Sequence, residues 1–119
     1  MNKEKQIVPE VRFPEFQNDG DWKETKLTEL IELLSGYAFK SIFFSKNGKK
    51  LLTPKNFTSN GYASFTDNNT KHTTEKTDIK YICKEGDLML LLTDLTPSCA
   101  LLGKPLLLTS KDGDVLLNQ

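Results

Sequence analysis

The sequence predicts an α+β fold: a mixed or antiparallel twisted sheet, barrel-like, with short peripheral helices. Three observations point to it. From Ile79 onward, apolar runs of four to six residues alternate with Gly and Asp turn signals, the pattern of buried strands. Ahead of them, Leu27, Leu30, Ile31 and Leu34 share the spacing of one helical face. A chain of 119 residues, 37% of them hydrophobic, has the material for one domain with a single modest core.

Taken in order, residues 1 to 21 carry Pro9, Pro14 and Gly20 among charges. VPEVRFPEFQNDGDW therefore reads as an extended N-terminal arm whose Val, Phe and Trp side chains dock on the body, residues 22 to 119. The helix that follows has Thr28 placed to cap it, Glu29 in its first turn and Gly36 just past its end. YAFKSIFF at 37 to 44 is aromatic and β-prone without clean alternation, and SKNGKK reads as a turn around Asn47 and Gly48. Strands are expected in KYIC, LMLLLTDL, ALLGKPLLLTS and VLLNQ, with turns at KEGD and KDGD. The last run reaches Gln119 without a terminating signal, so the expectation is a partial domain whose C-terminal part is missing.

Sixteen basic and sixteen acidic residues leave no net charge, so bulk charge gives no reason to expect nucleic acid or a membrane surface. The distribution is uneven. Residues 40 to 84 hold nine lysines against Asp67, Glu75 and Asp78, a net +6, whereas the flanking segments are each net −3. Cys83 and Cys99 fit neither a disulfide framework nor a zinc site and read as reduced thiols. No apolar run is long enough to span a membrane, and the N-terminus lacks the apolar stretch of a signal peptide, so the expected compartment is the cytoplasm, with no membrane partner.

Catalytic constellations are not apparent. His72, the only histidine, sits in the polar stretch NNTKHTTEK with no partner at ligand spacing; Asp87 and Asp94 read as turn formers; Walker, GxGxxG and GxSxG motifs are absent. The chain is expected to be no enzyme and to carry no metal or cofactor of its own. Its central segment suits recognition better. Asn can bond an adenine edge at two places, Lys can reach phosphates or guanine acceptors, and Ser or Thr can serve either purpose. Lys55, Asn56, Ser59, Asn60, Asn68, Asn69, Lys71 and Thr73 supply these groups, with Phe57, Tyr62 and Phe65 as loop anchors. The same residues would equally make a sugar- or protein-binding surface, or the solvated turns of any β-rich protein, and the interrupted last strand is also compatible with a non-functional truncated fragment.

VPEVRFPEF followed by Trp22, KLTELIELLSGYAF, TPKNF, KEGDL and TDLTPSCALLGKPLLL together resemble the first target recognition domain of a type I restriction and modification specificity subunit, across nearly the whole chain. Thr28 stands where many members have Gly. The resemblance implies a non-catalytic chain that reads one half of a split sequence in double-stranded DNA. Modification subunits would methylate adenine with S-adenosylmethionine, and a restriction subunit would translocate and cut with ATP and Mg; those cofactors belong to the partners. Family members diverge where they touch bases, so the site assignment rests on side-chain chemistry. Asn56, Asn60, Asn68 and Asn69 are assigned to base edges, and Lys40, Lys55, Lys71 and Lys76 to phosphates. Tyr62 is assigned to packing or backbone contact, with Ser41 and the TDLTPS turn at 93 to 98 as second choices.

Overall fold

The computed structural model describes residues 7–93 and 96–119, which fall into two compact units divided between Leu34 and Ser35. In the first unit the arm is not extended. Trp22 N–H donates to the Ile7 carbonyl at 2.8 Å, closing residues 7 to 22 into a loop, and the Arg12 guanidinium donates to the carbonyls of Phe16, Asp19 and Gly20 across it. Val8, Val11, Phe13, Phe16 and Trp22 of this unit are all exposed.

The expected helix is also shorter than its apolar stripe. Only α1, Leu27–Leu30, is helical; Lys26 rather than Thr28 occupies the N-cap, without a side-chain cap, and Ile31 is already extended (φ −133°, ψ 153°). Leu27 and Leu30 are exposed. A helix this short draws its stability from a buried face, and this one has none.

The second unit is built on strands. β1 (Phe44–Leu52), β2 (Lys71–Thr73), β3 (Ile82–Cys83), β4 (Leu88–Leu90), β5 (Pro105–Leu107) and β6 (Val115–Leu117) form a four-stranded sheet of order β2-β1-β6-β3 and a two-stranded sheet, β4-β5. The larger sheet is mixed: β1 runs parallel to β6, and the β1–β2 and β3–β6 pairs are antiparallel. It ends in β2 and β3 without closing into a barrel. Adjacent residues Leu51 and Leu52 on β1, and Val115 and Leu116 on β6, are all buried, so the central pair is covered on both faces. One face joins the two sheets, packing Leu52, Cys83 and Val115 with Met89, Leu106 and Leu108.

Asp makes the expected turns by bonding the backbone behind it. The Asp87 carboxylate accepts from Lys84 N–H at 2.9 Å, and Asp112 accepts from Thr109 N–H at 2.7 Å and its hydroxyl at 3.0 Å. Two expected strands are cut short. ALLGKPLLLTS breaks at Gly103 (φ 76°), where Lys104 N–H turns back to the Leu101 carbonyl, so the strand begins only at Pro105, whose missing N–H is harmless in that first position. LMLLLTDL keeps its strand to Leu90, and Asp94 lies outside the described residues. SKNGKK does not reverse the chain but lies inside β1. Among the described residues no helix is long and apolar enough to cross a membrane.

In β4 and β5, Met89 and Leu106 point to the core while Leu88, Leu90 and Leu107 point out. Leu106→Ala is therefore expected to lower unfolding free energy in urea by about 2–5 kcal/mol, and Leu107→Ala by less than about 1 kcal/mol.

Candidate functional site

The polar run between β1 and β2 is organised around one buried side chain. Pro54–Asn56 forms a single 3-10 turn, and Asn56 at its end is 0% exposed. Its carbonyl Oδ1 accepts from Thr53 N–H at 2.8 Å and from the Thr53 hydroxyl at 3.1 Å; its Nδ2 donates to the Ser64 carbonyl at 3.2 Å and towards Asn69 at 3.4 Å. Asn69 repeats the pattern one layer out, accepting from Thr66 N–H at 2.8 Å and the Thr70 hydroxyl at 2.9 Å and donating to the Ser64 carbonyl at 2.9 Å. Both ends of these two amides are spent within the fold.

Three of the expected contact residues are thereby corrected. Asn56 is wholly buried and cannot reach a base edge, and the oxygen and nitrogen of the half-buried Asn69 amide are both already bonded within the chain. Thr73 is 1% exposed, with its hydroxyl donating to the Phe43 carbonyl and accepting from Glu75 N–H at 3.1 Å. Asn60 is spent by half: its Oδ1 accepts from Tyr62 N–H at 3.1 Å and from the Thr58 hydroxyl, shaping an Asx turn, while its Nδ2 has no partner among the described residues.

The other candidates are exposed and fall into three places. Ser59, Asn60 and Tyr62 occupy the tip of a small hairpin closed by the Phe57–Ala63 bridge, and Tyr62 pairs with Leu107 so that this tip lies alongside β5. Asn68 and Lys71 flank the start of β2, where the Lys71 ammonium lies 5.2 Å from the Phe44 ring; Lys55 projects from the 3-10 turn. Lys40, Ser41 and Lys76 lie at the opposite end of the β1–β2 pair. There Glu75 accepts from Lys40 N–H at 2.9 Å and from the Tyr37 hydroxyl at 3.2 Å. Of the second-choice turn at 93 to 98, Asp94 and Leu95 lie outside the described residues.

No family model, curated protein sequence or solved structure matches this chain.

Sequence reasoning passed over Lys46 and Asn47, which β1 holds in exposed positions, because Asn-Gly reads as a chain reversal. Glu75 was passed over as well. Its negative charge, together with the hydrogen bond, raises the pKa of Tyr37 above the ordinary phenol value. Cys83 is not an activated nucleophile: burial, then the charge of Asp87, pushes its thiol up to about 11.

Asn56→Ala leaves the buried Thr53 N–H and hydroxyl without their shared acceptor and is expected to cost about 1–3 kcal/mol in urea unfolding, whereas Asn68→Ala stays within about 0.5 kcal/mol. At pH 8 a thiol reagent should modify exposed Cys99 in the native protein and reach Cys83 only after unfolding. Because folding raises the Cys83 pKa, its contribution is fully present below the ordinary value of 9.0 and is lost as pH rises towards 11, so the native protein should weaken across that window. Comparison of the pH profile with that of Cys83→Ala isolates the thiol.

Proposed function

We propose that this chain is a DNA sequence-recognition domain of the type found in type I restriction and modification specificity subunits. Its role would be to direct adenine methylation and cleavage carried out by partner modification and restriction subunits. The observation that carries the reading is the set of unspent polar groups on turns held by buried bonds. The Nδ2 of Asn60, the carboxamide of Asn68, the Ser59 hydroxyl and the exposed Tyr62 all lie in the segment of net +6, with Lys55 and Lys71 nearby. Amides and hydroxyls fixed by a framework can discriminate base edges, and the lysines can bind phosphates irrespective of sequence. S-adenosylmethionine, ATP and Mg are assigned to the partners, and the cytoplasm to the assembly.

A second reading, a protein-binding module, has its own observation. On the outward face of β4 and β5, Leu88, Leu90 and Leu107 are exposed beside Tyr62, an apolar surface in line with a protein ligand. Salt separates the two. If the DNA reading holds, the chain incubated with random duplexes enriches a short motif, and affinity falls steeply as salt rises. Lys55→Ala should then reduce the slope of log K against log salt by about 0.9. Absence of any enriched motif, or binding indifferent to salt, refutes the DNA reading and leaves the apolar face as the better guide.

A further inference from the structure

The pairing of β1 with β2 contains an interruption. Phe44 and Lys49 both lie opposite Thr73, so Ser45, Lys46, Asn47 and Gly48 have no counterpart on β2 and leave the ladder. An ordinary β-bulge inserts one extra residue, re-aims side chains and is frequent beside functional sites. Here four residues are extruded, and both ends of the protrusion are fixed. At its start the Phe43 carbonyl accepts from Thr74 N–H at 2.9 Å and from the Thr74 hydroxyl at 3.2 Å. At its end Gly48 lies directly against Thr73, where a Cβ would clash with the Thr73 carbonyl carbon and oxygen. The chain can rejoin the ladder there only without a side chain.

Between these anchors Ser45, Lys46 and Asn47 are exposed. Asn47 N–H donates to the Ser45 hydroxyl at 3.4 Å, tightening the protrusion. Among the described residues the Asn47 carboxamide and the Lys46 ammonium have no partner, in contrast to the amides of Asn56 and Asn69. β2 is an edge strand, so the β1–β2 ribbon that carries the protrusion has one side open. The DNA major groove, about 12 Å wide, admits a two-stranded antiparallel ribbon. Exposed Lys49 and Lys71 on the same ribbon give it positive charge.

We infer that the Ser45–Asn47 protrusion is a base-reading element, with the Asn47 carboxamide meeting a base edge in the major groove and the Lys46 ammonium binding a phosphate. The inference rests on the DNA-recognition reading above and adds to it a contact group that the polar run between β1 and β2 does not contain. Both side chains project from the fold and support nothing inside it, so their removal leaves thermal unfolding unchanged.

The test is selection from random duplexes by the full chain, run in parallel for wild type, Asn47→Ala and Lys46→Ala, followed by titration of the selected motif at several salt concentrations. The expected result has three parts. Wild type enriches a motif; Asn47→Ala loses discrimination at one base pair by about 10-fold or more while keeping the rest of the motif; Lys46→Ala weakens all sequences alike and lowers the salt slope by about 0.9. A wild-type motif that Asn47→Ala enriches unchanged, or loses uniformly without relaxation at any position, overturns the inference and leaves the DNA reading standing. A wild-type chain that enriches nothing overturns both.

Discussion

The carboxamide of Asn56 is the constraint on which the polar half of this molecule depends. A stretch of eighteen residues separates β1 from β2, rich in groups that would otherwise seek water. Asn56 lies wholly inside it and bonds backbone or side chain at Thr53, Ser64 and Asn69, residues from three different parts of the stretch. One amide thus replaces the ladder that a strand would have supplied, and it can do so because a carboxamide carries donors and acceptors together. A carboxylate at this position could accept from Thr53 but would face the Ser64 carbonyl with no proton to give. What the fold gains is a set of turns whose exposed tips are displayed on fixed backbone.

That role was not legible in the sequence, and the reason is physical. Nothing local separates Asn56 from Asn60 or Asn68, since all three are amides among turn formers. Which one is consumed depends on carbonyls eight and thirteen residues away. The same holds for Asn47-Gly48: the dipeptide does mark a departure from regular structure, but Thr73 on another strand decides that it extrudes a protrusion and lets the strand resume. The helical stripe at Leu27 to Leu34 failed for a related cause. Periodicity states what a helix could bury; here Leu27 and Leu30 stay exposed and only one turn forms.

Features that were legible are those whose energetics close within a few residues. The Asp87 and Asp112 turns are each completed by a backbone N–H three positions back, so KEGD and KDGD carry their own instructions. The alternation of Leu88, Met89, Leu90 and Leu91 is likewise local, because a pleated strand sends neighbours to opposite faces whatever lies there. The α+β class followed from such patterns. The parallel pairing of Leu51 and Leu52 with Leu116 and Leu117 did not, because it unites segments from distant parts of the chain.

β1 is where these two kinds of information meet. Its C-terminal end is the apolar spine, with Leu51 at 0% and Leu52 at 2% exposure, and it lies beside β6 in the middle of the mixed sheet. Its N-terminal half is polar and leaves the ladder, and the stretch held by Asn56 begins immediately after its end. The protrusion and the turns are therefore anchored to the same buried strand, one before the apolar pair and one after it. A strand buried on both faces at its C-terminal end has little freedom to shift in register, since a slip of one residue would send Leu51 and Leu52 to the wrong sides. Exposed groups placed on either side of such a spine keep their spacing, because the strand that carries both cannot slide without unburying its leucines.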